Sequence, residues 1–333
     1  MMALGGWSKR TLRAADPLKA AAVLANSAAK LDVPLPTLGG KQFWTDHLLF
    51  HGWRIQKNAL TSECRLLDDR DWTHASGTFA ECQDKLEATK RDLKLPPMKG
   101  RVVLLLHGLF RSRSSMESLG NYLDNHAHVD SLAMSYASTQ AEVGAQAQAL
   151  ASILAHLDGV EEINFVAHSL GNLVIRHYLH DATDPQTGRQ GDPRIKRFVM
   201  LGPPNHGAEI AKFLAENKAY ELVTGGAGQQ LGKAWSDFEK KLATPHCEFG
   251  IIAGGRGQSK GYNPLLPSDN DLVVTVESTR LIGARDFLLL PVAHSFLMFD
   301  ARARAATLSF LEHGYFVADA KRQPIVAADK PAR

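Results

Sequence analysis

Residues Glu162–Tyr178 read EINFVAHSLGNLVIRHY, an apolar run broken by a polar His-Ser pair where a strand should end and a helix begin. Ala167 stands two places before Ser169, and Gly171 two places after it. A tight strand-to-helix turn requires small residues at those positions, because bulk there collides with neighbouring backbone. Such a turn aims the Ser169 hydroxyl away from the sheet, at a helix N-terminus that favours developing negative charge. The plainer reading is that Ser169 is only a helix N-cap. The pentapeptide alone leaves both readings open.

From Pro96-Pro97 onward, short apolar runs alternate with helical segments. RVVLLLH (101–107), SLAMSY (131–136), INFVAH (163–168), IKRFVMLG (195–202), EFGIIAG (248–254) and DFLLLPV (286–292) read as strands. MESLGNYLDNH, a stretch from about Gln140 to Leu157, the segment after Ser169 and about Ala301–Glu312 read as helices. Strands joined by helical crossovers imply an α/β fold, a mostly parallel central sheet with helices on both faces. Ligand sites in such sheets lie beyond the carboxyl ends of the strands. We expect this domain over residues 99–318, with an N-terminal extension over 1–98 and a tail over 319–333.

The extension carries no motif tied to chemistry, so packing, an accessory role or partner docking is expected of it. Asp16-Pro17 reads as an N-cap and first residue of a helix to about Leu31. The following DVPLPTLGG (32–40) reads as a loop. HLLFHGWRIQ and ECRLLD suggest a hairpin, and a charged helix spans roughly Thr78–Leu93. Lys9, Arg10 and Arg13 before AAAVLANSAA also give the outline of a signal peptide, with a short apolar part. Cytoplasmic placement is expected, with export the alternative if that segment is a signal.

The 333 residues carry 38 Lys+Arg against 35 Asp+Glu, a net charge of +3 that gives nucleic acid no strong electrostatic attraction. Cys64, Cys82 and Cys247 form no C-x-x-C pair, so neither a disulfide framework nor a zinc site is indicated. No apolar run reaches the roughly 20 residues a membrane-spanning helix needs. No cofactor and no metal are expected.

A serine hydroxyl becomes a nucleophile when a base removes its proton, and an acid must orient that base. On this kind of sheet the chain order is nucleophile, acid, base. His294, in LLLPVAHSF, directly follows an apolar strand and is the candidate base. Asp271, in PSDNDLVVTVEST, is the candidate acid, with Leu272-Val273-Val274 as an apolar anchor. Asp269 is its rival, and Asp286 should sit at the far end of the last strand. Oxyanion donors are usually two backbone N–H groups. Leu170, directly after Ser169, and Leu109, in LLLHGLFRS after the first core strand, are placed to supply them. Gly108 lets that backbone turn closely, and His107 reads as a structural brace.

HGLF, AHSLG, DNDLVV and the late histidine together resemble the α/β-hydrolase superfamily, in particular its bacterial lipases and esterases. The small bacterial lipases of the group are similar in an Ala at the head of the elbow and a short interval from acid to histidine. LGPPNHGAEI (201–210) resembles a segment of lipases and lipid-modifying deacylases, in which Asn205 and His206 would shape the pocket wall. The resemblance covers about residues 100–313. It departs from the pattern at Leu272, where a small residue is frequent, and in the long N-terminal extension. It implies carboxylic ester hydrolysis by Ser169, His294 and Asp271, in a pocket formed by His107, Gly108, Phe110, His168, Asn205, His206 and Phe296. The substrate would be a small-molecule or lipid ester, with peripheral membrane contact open. A thioesterase, an amidase, an acyltransferase or a non-catalytic partner-binding protein could use the same fold.

GGAGQQLG (225–232) reads as a loop and not a phosphate cradle, and 209–245 as a cap over the pocket or as packed helices. His177 and His180 lie three apart on a helix, with no carboxylate counted near them.

Overall fold

The computed structural model of the chain describes residues 35–36, 41–207 and 235–327. The expected helix from Asp16, the signal-peptide outline, the loop 225–232 and most of the 209–245 stretch lie outside the described residues.

The larger sheet has six parallel strands: β6 (Gly100–Leu106), β7 (Asp130–Met134), β8 (Val160–His168), β9 (Ile195–Leu201), β10 (Glu248–Gly254) and β11 (Asp286–Leu290). Their order across the sheet is β11-β10-β9-β8-β6-β7. Side chains alternate faithfully between its faces. Val102, Leu104 and Leu106 of β6 join one core with Phe165, Ala167, Phe198 and Met200. Val103 and Leu105 join the other with Val166, Val199 and Leu201. Burial on both sides is why these strands read as near-continuous apolar runs.

Among the described residues, four helices that follow β6 cover the two faces. The first core takes α3 (Val143–Ala155) and α4 (Leu170–Asp181), through residues such as Leu150 and Leu173. The second takes α2 (Ser114–Ala127) and α5 (Ala301–His313), through Leu119, Leu123 and Phe310. After β6 the chain moves outward to edge strand β7, then crosses back to place β8 on the other side of β6. The order reverses between β6 and β8, and a crevice opens at such a switch point beyond the carboxyl ends. The two segments at that crevice are the loop starting at His107 and the turn at Ser169.

The N-terminal region exceeds the expected hairpin. Five strands form a separate antiparallel sheet, in the order β1-β5-β4-β3-β2: β1 (Leu35–Pro36), β2 (Trp44–Phe50), β3 (Trp53–Asn58), β4 (Cys64–Leu67) and β5 (Trp72–Gly77). The sequence signal missed β5 because WTHASG is half exposed along its length and shows no two-residue alternation. β1 falls within the expected loop, and its proline sits on an edge strand, where a missing N–H is tolerated. Helix α1 (Phe79–Asp92) begins where expected: Thr78 and Glu81 cap each other's backbone in a capping box. This sheet and α1 pack into the first core through Leu48, Phe50, Ile55, Leu66 and Leu86.

Two smaller expectations need correction or completion. His177 Nδ1 lies 3.0 Å from Asp181 Oδ2, a carboxylate one turn along that the pairing of His177 with His180 left out of account. Asp286 does open β11 at the end away from the crevice, where it accepts hydrogen bonds from the backbone of Phe316 (2.7 Å) and Gln323 (2.8 Å).

Candidate active site

At Ser169 the backbone has φ 52° and ψ −119°, a conformation outside the regions that L-residues ordinarily occupy. Holding it costs on the order of 1–3 kcal/mol, which the surrounding structure must offset. The Ser169 N–H donates to Leu201 O at 3.0 Å, tying the turn to β9. Asn172 reaches back, Nδ2 donating to Ser169 O at 2.9 Å. Although Ser169 occupies the N-cap position of α4, its side chain makes no capping hydrogen bond. The bland N-cap reading therefore has no bond to stand on.

Gly171 and Gly108 permit the close approach. A Cβ on Gly171 would stand 2.8 Å from Leu106 Cβ and 2.9 Å from both Leu106 O and His107 O, which are backbone and cannot step aside. A Cβ on Gly108 would stand 2.8 Å from His168 Nδ1 and 3.1 Å from Ser169 Cβ. The loop after β6 and the turn after β8 thus touch, and the backbone N–H groups of Leu109 and Leu170 belong to these two adjoining segments.

His294 opens a short 3-10 helix, His294–Phe299, four residues after β11 ends. Its Nδ1 is 2.6 Å from Asp271 Oδ2, and its backbone N–H donates to Asp271 O at 2.8 Å. Asp271 is fully buried, and its Oδ1 accepts from the N–H of Val273 (3.1 Å) and Val274 (2.8 Å). With the carboxylate accepting on both oxygens, the imidazole proton sits on Nδ1, which leaves Nε2 a lone pair. The rival Asp269 is engaged elsewhere, accepting from the backbone of Arg256 (2.8 Å) and Gly257 (2.7 Å). Only Val274 of the expected apolar anchor is buried; Leu272 and Val273 are 48% and 44% exposed. What anchors the carboxylate is backbone N–H, not apolar contact. Gly202, at φ 52°, connects His294 to the turn: its missing Cβ would lie 3.2 Å from His294 Cε1, and it directly follows Leu201, the partner of Ser169.

Two buried histidines brace this edge. His107 is stacked on Tyr136 at 4.0 Å; its Nδ1 donates to Gly108 O (2.8 Å), and its Nε2 faces the Tyr136 N–H at 3.4 Å. The Tyr136 hydroxyl donates to His107 O. Burial lowers the His107 pKa to about 4, so the ring stays neutral. His168 lies 4.7 Å from the His294 ring and donates from Nε2 to His294 O at 2.9 Å. Burial, and then the proximity of a second ionisable ring in His294, holds its pKa well below the ordinary value.

The expected pocket residues divide into an exposed and a buried set. Phe110 and Phe296 are 42% and 61% exposed, and Phe110 is held at φ 59°. His107, His168 and Asn205 are buried. Asn205 is a brace and not an open wall: its Oδ1 accepts from Arg176 Nη1 (2.9 Å), and its Nδ2 donates to Thr279 O (2.7 Å). His206 is exposed, its Nδ1 3.5 Å from Glu239 Oε1.

Asn270 escaped the sequence reading. Fully buried beside Asp271, it accepts from the N–H of Asn263 (2.8 Å) and Leu272 (3.1 Å) and donates to Asn263 O (3.0 Å) and Ser268 O (2.8 Å). Gly254 and Gly261 make room for this turn, since a Cβ would stand 2.7 Å from Asp271 Cβ and 2.1 Å from Asn270 N respectively. The only sequence hint was the run of small and polar residues around the acid.

Residues 70–231, slightly under half of the chain, match a family model described as a domain of unknown function, DUF7379. No curated protein matches the sequence. Similar solved structures include a gene product of Listeria innocua, 17% identical, with a TM-score of 0.43 over 71% of this chain and 100% of that one. An esterase from Thermogutta terrifontis is 15% identical, with a TM-score of 0.42 over 66% of this chain and 92% of the other. The Pyrococcus furiosus esterase Pf2001 is 13% identical, with a TM-score of 0.45 over 84% and 96%. Identities and TM-scores at this level leave the fold assignment to the chain's own strand order and turn geometry. On those grounds the chain is built on the α/β-hydrolase fold, with an antiparallel sheet added at its N-terminal side.

Proposed function

We propose that this protein hydrolyses carboxylic esters through an acyl-enzyme on Ser169. Ser169 Oγ attacks the acyl carbonyl while His294 Nε2 takes its proton, and Asp271 stabilises the imidazolium through Nδ1. The tetrahedral oxyanion accepts from the Leu109 and Leu170 N–H groups, at a helix N-terminus that favours negative charge. Collapse breaks the ester C–O bond as His294 returns the proton to the leaving alkoxide. Water, deprotonated by His294, then attacks the acyl-enzyme and frees both the acid and Ser169.

The observation that carries this reading is the pairing of His294 with a buried carboxylate at 2.6 Å, at the same sheet edge as a serine in a strained turn. Two exposed aromatic side chains, Phe110 and Phe296, favour a substrate with an apolar acyl or alcohol group. A lipid ester presented at a membrane surface is one such substrate.

The test is hydrolysis of p-nitrophenyl esters from acetate to dodecanoate by wild type and by Ser169→Ala. Activity in wild type and none above background in the variant is expected. Equal rates for both, or none for either across esters, thioesters and amides, defeats the proposal. Added alcohols distinguish hydrolysis from acyl transfer.

A further inference from the structure

The N-terminal region reaches the loop between β6 and α2, which carries the proposed oxyanion donor, at two places: Asp71 pairs with Arg113 at its far end (3.3 Å), and Gln42 bonds within it. Gln42 lies in a single 3-10 turn, Lys41–Phe43, just before β2. Its Nε2 donates to Arg111 O at 3.0 Å, and its Oε1 accepts from Ser138 Oγ (3.1 Å) and Thr139 Oγ1 (3.2 Å). Both ends of one amide are thus used, across 69 to 97 residues of intervening chain.

Arg111 closes the turn that begins at Gly108, its N–H donating to Gly108 O at 3.2 Å. Inside that turn Phe110 has a φ of 59°, a region where a bulky side chain is strained. Strained backbone persists only where its surroundings over-determine it, and Gln42 fixes the carbonyl next in line. The same N-terminal segment also holds the turn after β7, which packs against the loop's other end. Thr45 Oγ1 accepts from the Ala137 N–H (3.1 Å), the Asp46 N–H donates to Ser135 O (2.9 Å), and Asp46 Oδ2 accepts from the Ser135 N–H (2.6 Å). Between those two anchors lies Tyr136, stacked on His107 at the start of the loop. The loop 107–111 is therefore gripped at His107 through Tyr136 and at Arg111 by Gln42.

We infer that residues 42–46 form a clamp that sets the oxyanion loop, with Gln42 as a positioning residue for the Leu109 N–H. This rests on the ester-hydrolase reading for its consequence but not for its geometry. Losing one oxyanion donor costs about 10²-fold or more in kcat. A donor displaced but not lost costs less, on the order of 10- to 100-fold, and the loss falls on kcat because the donor acts on the transition state.

Gln42→Glu is the sharper variant, because its carboxylate still accepts from Ser138 and Thr139 but cannot donate to Arg111 O. Gln42→Ala removes both halves. For each, kcat and KM on a p-nitrophenyl ester, affinity for an aryl boronic acid, and hydrogen exchange of residues 107–112 are measured on the full chain. Expected are a 10- to 100-fold fall in kcat, KM within about threefold of wild type, boronate affinity falling with kcat/KM, and faster exchange confined to the loop. A merely structural role would lower the urea midpoint and leave the kinetics of the folded fraction intact. Active variants with kcat within twofold of wild type, or unchanged loop exchange, overturn the inference. An inactive wild type whose loop exchange still rises on substitution overturns the ester-hydrolase reading and leaves the clamp standing.

Discussion

Replacing Asp271 by Asn should abolish most activity while leaving the fold in place, and the hydrogen bonds dictate why. Asp271 Oδ1 accepts from two backbone N–H groups, of Val273 and Val274, so the amide oxygen must occupy that site. The opposite rotamer would set an NH2 against two donors, at about 1–3 kcal/mol for each hydrogen bond left unmade. The NH2 therefore takes the Oδ2 position and donates to His294 Nδ1, now 2.6 Å from a carboxylate oxygen. An imidazole accepting there carries its proton on Nε2, the nitrogen that deprotonates Ser169 in the proposed mechanism. Wrong-tautomer substitutions of this kind cost about 10⁴-fold in kcat, or about 5 kcal/mol of transition-state stabilisation. The assay is initial rates on p-nitrophenyl butyrate, with the urea midpoint as a check on folding. A folded Asp271→Asn variant with kcat within tenfold of wild type would refute the tautomer argument.

Other outcomes follow from single positions. Asp269→Asn should change kcat by less than about tenfold, since its carboxylate braces the Arg256–Gly257 backbone and not His294; a loss matching that of Asp271→Asn would reverse the assignment. Burial depresses the His107 pKa to about 4, so its neutral form stabilises the fold above the unfolded value near 6.5, and this is lost as pH falls from 6.5 towards 4. Urea unfolding of wild type and His107→Asn should show their stability difference shifting by about 2.5 kcal/mol against wild type between pH 8 and 4.5; a pH-independent difference would rule this out. Gly171→Ala should destabilise by about 1–3 kcal/mol and suppress activity, because its methyl meets two backbone carbonyls at 2.9 Å. At Leu272, with φ 94° and a half-exposed side chain, Gly should be more stable than Ala by about 1 kcal/mol in thermal or urea melts; the ordinary order, Ala above Gly, would show that no strain is stored there.

The parts of this fold that could be read from sequence were those whose physics is local or one-dimensional. Strands β6 to β11 are apolar on both faces, and each leaves a continuous run. Ser169, flanked by Ala167 and Gly171, marks a turn that few other residues permit. The unread parts depend on how the chain folds back on itself, whether across a few residues or many. Strand β5 has no alternation of its own and pairs with β4. The sequence reading prefers Asp271 to Asp269 for an apolar anchor that is largely exposed; what separates two carboxylates two residues apart is the direction in which each points and the backbone N–H groups that hold it. Asn270 draws its partners from a turn folded back on itself, and Gln42 bonds to residues 69 to 97 positions away. No short window of sequence contains the Gln42 contacts.

The most direct test of the proposed chemistry is to treat the native protein with a fluorophosphonate and locate the adduct by peptide mass spectrometry. The expected result is one phosphonyl group on Ser169, formed quickly in wild type, far more slowly in His294→Ala and not at all in Ser169→Ala. No adduct on folded wild-type protein, or one placed on a different residue, would contradict the claim that this turn presents an activated nucleophile.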